Sequence, residues 1–204
     1  MKKLKSLLII LTLAIVTSCA TSILQQVGSY SPPDISSEGK YSETINKNFD
    51  DTWTAVIDFV SVSSFSIDNF EKDSGLITLT FGISDPGRYI DCGSYKSTGG
   101  GISDFDGKYV DYIHGPSLQG SSLSGKMNIS IRSVTDGKTN VRVNARYIWV
   151  AGTDGRVSSN TWSFDTGNSA TVFVTNPTSG TIPTRTCVPT YYAESSVIDF
   201  VKSL

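Results

Sequence analysis

The sequence predicts an α+β domain, in which an antiparallel sheet carries a helix from the N-terminal half and a C-terminal helix on one face. Three observations lead to this prediction. Apolar residues recur with a helical period in two short segments, one after Asp50 and one at the C-terminus. Between them, apolar and polar residues alternate through several segments separated by turn-forming residues. The resulting order of strand, helix, several strands and helix is typical of helices packed on one face of an antiparallel sheet.

The first helix is predicted over residues 50–63, after a weakly alternating segment at 41–46 that suits a strand. Asp50 is its candidate N-cap. Its apolar residues share one face at helical spacing: Trp53, Val56, Ile57 and Val60. A hairpin should follow, with strands at 65–70 and 76–81 joined by Lys72-Asp73-Ser74-Gly75.

The segment 82–125 is rich in glycine and serine, so most of it is expected to be exposed loop. Two short strands are expected inside it, at Tyr89–Cys92 and Tyr109–His114. A loop of this length is uncommon in a compact domain and often carries function.

The second half of the chain predicts two more hairpins and a last helix. Alternating apolar residues at 127–131 and 141–149 flank an Asp-Gly turn. The segments 157–164 and 171–175 are expected to pair with each other around a turn at 165–168. Thr190 is the candidate cap of a final helix, whose apolar face holds Ile198, Val201 and Leu204.

The N-terminus has the organisation of a signal peptide. A basic start is followed by an apolar run from Leu7 to Val16, far shorter than the ~20 residues that a bilayer-spanning helix needs. Val16-Thr17-Ser18-Cys19 resembles the lipobox of bacterial lipoproteins, in which the cysteine receives acyl chains such as palmitate. An ordinary secretory signal with a chance cysteine is the alternative reading.

Lipidation at Cys19 implies three parts: a signal peptide over 1–18, a lipidated flexible tether over 19–40, and a single α+β domain over 41–204. Ala20 follows the cysteine, whereas an Asp there resembles a signal for inner-membrane retention. For a Gram-negative source we therefore expect an outer-membrane lipoprotein, anchored by its lipid and facing the periplasm.

The cysteine count predicts one disulfide. Assigning Cys19 to lipid leaves Cys92 and Cys187, an even pair in an oxidising compartment. Two free buried thiols are the alternative. A metal site is not expected, because the chain has no CxxC pair and His114 is its only histidine. Acidic residues near Asp106 have some likeness to a calcium loop, but their spacing does not match an EF-hand and an acidic turn is favoured.

Charge and motifs exclude several function classes. Without residues 1–18 the chain keeps 14 basic and 19 acidic residues, so no basic patch for nucleic acid is expected. His114 directly precedes Gly-Pro, so it is expected to be a surface residue of a loop rather than a general base. No serine lies in a Gly-x-Ser-x-Gly elbow, and no glycine-rich segment completes a phosphate loop. The sequence therefore predicts neither enzymatic activity nor a cofactor.

Tyrosines are the remaining candidates for binding. Those in the loop-rich segment and at the start of the last helix are Tyr89, Tyr95, Tyr109, Tyr112, Tyr191 and Tyr192. Tyrosine is enriched at interfaces, because it offers apolar area with a polar tip. A disulfide between Cys92 and Cys187 would bring these two regions together. Half-buried packing is the alternative role for most of these side chains.

One stretch resembles a known family. The run Phe49-Asp50-Asp51-Thr52-Trp53, the segment Phe65-Ser66-Ile67-Asp68 and the turn Asp73-Ser74-Gly75-Leu76-Ile77 look like the domain of BamC-like lipoproteins. The resemblance covers roughly residues 41–82 and the terminal helix. It implies a helix-grip fold and an accessory role in outer-membrane β-barrel assembly. Members of that family resemble two such domains in tandem, whereas this chain has room for one.

The expected function is therefore a non-enzymatic, membrane-anchored module that binds or scaffolds envelope proteins. The alternative is a periplasmic carrier of a small apolar ligand or lipid, since a helix gripped by a curved sheet can open into a pocket. The two differ in what lies between the helix and the sheet. A packed core favours the scaffold, whereas a cavity of about 300 Å³ or more favours the carrier.

Overall fold

A computed structural model of the chain describes residues 27–34, 41–98, 104–114, 121–135, 137–151, 160–168, 170–173 and 184–204. The predicted signal peptide, Cys19 and most of the predicted tether lie outside these residues. The described chain is α+β and its strand pairs are antiparallel, as predicted. Among its helices, none is long and apolar enough to cross a bilayer.

The elements of the described chain, in order, are β1 (Val27–Ser31), β2 (Ser42–Ile45), α1 (Phe49–Val62), β3 (Ser66–Glu71), β4 (Leu76–Ile83), a 3₁₀ turn (Pro86–Arg88), β5 (Ile90–Asp91), β6 (Ser94–Thr98), β7 (Phe105–Lys108), α2 (Tyr109–His114), β8 (Ser121–Thr135), β9 (Lys138–Ala151), β10 (Asn160–Asp165), β11 (Ala170–Phe173), β12 (Thr184–Pro189) and α3 (Tyr192–Ser203).

The main sheet has the strand order β10-β9-β8-β4-β3, and β2 pairs with the first part of β9. Its centre is the long hairpin of β8 and β9, in which Gly137 turns with a φ of 73°. Alternate side chains of β4, β8 and β9 point into the core, because successive residues of a strand face opposite sides of the sheet. The largest of them with 2 % exposure or less are Ile77, Leu79, Leu123, Met127, Ile129, Ile131, Tyr147 and Trp149.

Helices α1 and α3 cover this inner face together. Trp53, Val56 and Val60 of α1 and Val197 and Val201 of α3 are buried in the same hydrophobic cluster as the sheet residues. The helices also touch each other, with the rings of Phe59 and Phe200 at 5.6 Å between centroids. The predicted arrangement of both helices on one face is therefore confirmed.

The cap of α1 differs from the prediction. Asn48, and not Asp50, is the N-cap, because its side-chain oxygen accepts the backbone N–H of Asp51 at 2.9 Å. Asp50 lies inside the first turn, where its negative charge favours the positive end of the helix dipole. The predicted helix over 50–63 thus begins and ends one residue earlier than expected.

The segment 82–125 is more ordered than the sequence predicted. Its described residues hold the 3₁₀ turn, β5, β6, β7, α2 and the start of β8. The predicted strand at Tyr109–His114 is wrong, because these residues form a short helix. Tyr109, Val110 and Ile113 are each at most 2 % exposed and lie at helical spacing on one side of α2.

Strand β1 lies inside the segment 19–40 that the sequence predicted as a flexible tether. Its five residues pair antiparallel with β6, and β6 pairs with β7 to complete a small sheet. The phenol of Tyr30 donates to the carbonyl of Thr186 and accepts the N–H of the same residue, both at 3.1 Å. Residues 27–31 therefore belong to the folded body and not to a free tether.

The predicted hairpin between 157–164 and 171–175 is also wrong in its pairing. Strand β10 pairs with β9, and β11 pairs with β12, which the sequence did not predict. The physical reason lies in β10, where Trp162 and Phe164 stand opposite Trp149 and Tyr147 and extend the aromatic part of the inner face. Residues 157–159 and 174–175 lie outside the described part of the chain.

Candidate functional site

A disulfide joins Cys92 and Cys187, as the cysteine count predicts, with an S–S distance of 2.03 Å. Both cysteines are fully buried. The bond ties the chain after β5 to β12, and these two strands also pair through Asp91 and Val188. Two regions that are 95 residues apart in sequence are therefore held side by side.

Next to this bond, Arg185 of β12 is surrounded by tyrosines. The guanidinium carbon lies 4.3 Å from the ring centroid of Tyr30, 5.2 Å from that of Tyr109 and 5.5 Å from that of Tyr95. A cation over an aromatic face is attracted by the negative charge of that face. Arg185 thus connects the small β1-β6-β7 sheet and α2 to β12.

Further ring contacts extend this group, and we call Tyr30, Tyr95, Phe105, Tyr109 and Tyr112 with Arg185 the tyrosine cluster. The ring of Tyr112 lies 4.8 Å from that of Tyr95 and 5.2 Å from that of Phe105. Tyr109 is buried at the centre, whereas the other four rings are half-buried. The cluster therefore presents partly exposed aromatic area around a buried central ring.

Burial favours the neutral form of two phenols in the cluster, those of Tyr109 and Tyr95. Burial raises the pKa of Tyr109 above the usual tyrosine range, although the charge of Arg185 acts in the opposite direction. Burial also raises the pKa of Tyr95, and the neighbouring Tyr112 adds to the effect. Neutral phenols can donate hydrogen bonds to a partner, so the cluster combines apolar contact with directional polar contact.

The structure brings together three of the six tyrosines predicted for binding, namely Tyr95, Tyr109 and Tyr112. Tyr89 and Tyr192 form a separate contact, with ring centroids 5.2 Å apart and the Arg88 guanidinium 4.5 Å from the ring of Tyr192. The disulfide thus does not gather all six tyrosines in one place.

Tyr191, the last of the six, has a structural role. It adopts a left-handed backbone conformation with a φ of 61° where α3 begins. Its buried ring stacks on Tyr41 at 5.9 Å, and its phenol oxygen accepts the N–H of Gly167 at 3.1 Å. The sequence left two roles open for these tyrosines, binding a partner and packing within the fold, and Tyr191 has the packing role.

Sequence reasoning missed Tyr30, Phe105 and Arg185. Tyr30 falls in the segment interpreted as tether, and Arg185 falls in a strand that was not predicted. The alternation Thr184-Arg185-Thr186-Cys187-Val188 was the available signal for this strand, and it is too short to stand out beside the nearby proline.

Helix α3 carries a buried carboxyl group. Glu194 of α3 is 0 % exposed, and its two oxygens accept hydrogen bonds from the hydroxyls of Tyr147 and Thr166, each at 2.8 Å. Burial raises the pKa of Tyr147, and the charge of Glu194 and its hydrogen bond raise it further. Glu194 therefore fastens the turn after β10 to the helix and the sheet.

In the part of the chain that the structure describes, no three His, Cys, Asp or Glu side chains lie together in a way that could hold a metal ion. Asp106, from the acidic segment considered for calcium, pairs with Lys96 at 2.8 Å. The side chain of His114 is not among those that the structure describes.

The outer face of the main sheet is polar and carries an open groove of about 570 Å³. Lys126 and Arg146 stand opposite each other beside it, and each reaches an acidic partner, Asp68 at 2.7 Å and Asp165 at 3.9 Å. Gly82 leaves the groove open, because no side chain fills its position.

No known protein family, curated protein or solved structure matches this chain. The resemblance to BamC-like lipoproteins therefore stays a prediction from the residues quoted above.

Proposed function

We propose that this protein is a non-enzymatic outer-membrane lipoprotein, anchored through Cys19 and facing the periplasm, that binds other envelope proteins through its surface. An accessory role in outer-membrane assembly follows from the BamC-like resemblance and belongs to the same proposal. The membrane is its first partner, through the lipid, and envelope proteins are the second.

The observation that carries the proposal is the filled space between the helices and the sheet. Val56 of α1 and Leu79, Met127 and Ile129 of the sheet are all 0 % exposed and belong to one continuous cluster. Interiors packed in this way have few voids larger than a water molecule. Because the described interior leaves no room for a ligand, we assign the binding of partner proteins to the surface of the domain.

The tyrosine cluster supplies such a surface. Its half-buried rings are held by Arg185, by the disulfide and by the hydrogen bonds of Tyr30, so little side-chain freedom remains to be lost on binding. Rigid aromatic side chains with polar tips are the residues that contribute most to protein interfaces.

The alternative, a carrier of a small apolar ligand or lipid, needs an apolar chamber. The groove of about 570 Å³ lies on the opposite face of the sheet from the helices. This groove is open to solvent and encloses no chamber, whereas a carrier buries most of the surface of its apolar ligand. The packed core thus favours the binding module over the carrier.

The proposal is tested by cross-linking in intact cells, followed by purification of the lipidated protein from detergent-solubilised membranes. We expect an envelope protein in a fixed ratio, with lower recovery for a Tyr95→Ala/Tyr112→Ala variant. Val134→Ala is the matched control, since Val134 is an exposed apolar residue outside the cluster. Circular dichroism establishes that the variants fold.

Two results contradict the proposal. Purification of lipid alone, with no protein partner, would favour the carrier. Turnover of a substrate by the purified protein would contradict the non-enzymatic assignment.

A further inference from the structure

The outer edge of the main sheet at β3 is open in the described part of the chain. Strand β3 is last in the strand order and pairs only with β4 among the described strands. All six of its residues are exposed. A strand at the edge of a sheet presents a row of backbone N–H and C=O groups that can pair with another chain.

A bulge places two large apolar side chains on the same side of this edge. The register shifts at Asp68, so that Ile67 stands opposite Leu79 and Phe70 stands opposite Ile77. Leu79 and Ile77 point into the core, so Ile67 and Phe70 also lie on the helix side of the sheet. They are nevertheless 43 % and 60 % exposed, because the helices do not extend over them.

Helix α1 runs alongside this exposed edge. At one end Asp50 pairs with Lys72 of the β3–β4 turn at 2.8 Å, and at the other end the ring of Phe59 lies 5.7 Å from that of Phe65. Ile67 and Phe70 therefore form an apolar strip on the helix side of the open backbone edge.

The opposite side of the same edge is acidic. Asp68 is paired with Lys126 of the outer face, and Glu71 stands opposite Leu76 on that face. Glu71 accepts a hydrogen bond from Ser74, and no described cation pairs with it or with Asp73. A strand added here would have its side chains alternately beside the apolar strip and beside the acidic groups.

We propose that the outer edge of β3 accepts an extended segment of a partner protein as an added strand, in which apolar residues alternate with lysine or arginine. The backbone edge supplies the hydrogen bonds of the added strand. The apolar strip receives alternate side chains, and the acidic groups receive the cations between them. This inference rests on the proposed protein-binding function and names the chemistry of the partner segment.

The experiment uses the full lipidated protein in a non-ionic detergent and a synthetic peptide, Lys-Val-Lys-Val-Lys-Val-Lys, with both ends blocked. Hydrogen exchange measured by mass spectrometry reports protection of the β3 amides as the peptide is added. We expect saturable protection confined to β3 and its neighbours. The matched peptide with glutamate in place of lysine should bind about tenfold more weakly, because its charges meet the acidic edge.

Protein variants establish that the edge itself is the site. Ile67→Lys/Phe70→Lys adds two cations at exposed positions and should weaken binding about tenfold or more. Leu204→Lys is the control, since Leu204 is 62 % exposed and lies at the end of the chain after α3. It should leave binding unchanged.

Three results of the exchange and peptide-binding experiments overturn the inference, and a fourth can come from cross-linking. Unchanged exchange of β3 with saturating peptide excludes strand addition, and equal binding of the glutamate peptide excludes the stated chemistry. Strong protection of β3 before any peptide is added would assign the edge to another segment of this chain.

If cross-linking yields an envelope partner whose recovery is the same for Ile67→Lys/Phe70→Lys, the edge is wrong while the proposed function stands. If the peptide binds but no envelope partner is found, the proposed function fails and the edge site stands.

Discussion

The phenol of Tyr147 donates a hydrogen bond of 2.8 Å to the carboxylate of Glu194, and both side chains are fully buried. Tyr147 lies on the central strand β9 and Glu194 on α3, so this bond crosses between the two layers of the fold. Thr166 donates to the second carboxylate oxygen. The buried carboxyl group is thus held by two hydroxyl donors, one from strand β9 and one from the turn after β10.

Tyr147→Phe should lower the free energy of unfolding by about 1–3 kcal/mol, because a buried carboxylate loses one of its donors. Urea unfolding followed by circular dichroism measures the change. Glu194→Gln is the companion variant, and the double variant should cost less than the sum of the two single ones, since the residues are in contact. Additive costs would contradict a direct interaction.

Stability should fall in alkaline solution above about pH 10, because the folded state keeps several tyrosines neutral. Burial raises the pKa values of Tyr109 and Tyr147 above the ordinary value of 10.0, so these phenols ionise first in the unfolded chain. The stability that these neutral phenols contribute is therefore fully present below pH 10.0 and is lost as the pH rises above it. Urea midpoints measured from about pH 8 to 11.5 check this, and Tyr109→Phe should make the decline shallower. A midpoint that stays constant across this range would contradict it.

Loss of the disulfide should destabilise the domain by up to ~4.7 kcal/mol in the chain-entropy model, because the two cysteines close a loop with a sequence separation of 95. Cys92→Ala/Cys187→Ala is the variant, and urea unfolding without reductant is the measurement. The mass of the native protein should also rise by about 2 Da on reduction. An unchanged mass would mean that the two cysteines are free thiols.

Cys19→Ala should move the protein from the membrane fraction to the soluble fraction, because the acyl chains are the proposed anchor. Cell fractionation with immunoblotting measures the distribution. Val134→Ala is the control, since it changes an exposed residue and leaves both the lipobox and the disulfide intact. A Cys19→Ala protein that stays with the membrane would place the anchor elsewhere.

The parts of the fold that the sequence predicted are those in which neighbouring segments pair. Strands β4, β8 and β9 alternate clearly, and β8 and β9 are joined by a turn at Gly137. Helix α1 was recognised because four apolar residues recur at its spacing. Local patterns are sufficient in these places, since each pattern and its partner lie close together in the chain.

The remaining elements depend on contacts between distant segments. Strand β1 pairs with β6 far along the chain, and β12 pairs with β5 across the disulfide. Helix α2 has only six residues, too few for a helical period to differ from alternation. Tyr30 and Arg185 of the tyrosine cluster were unpredictable for the same reason, because they meet only in the folded chain.

If Cys19 carries the proposed lipid, strand β1 also limits how far the body can move from a bilayer. Only eight residue steps separate Cys19 from Val27, so a fully extended chain between them spans at most ~28 Å. With acyl chains on Cys19, the small sheet and its tyrosines would remain within about one domain diameter of the lipid headgroups. Partners that are embedded in the membrane or lie directly on it would then be in constant reach of this surface.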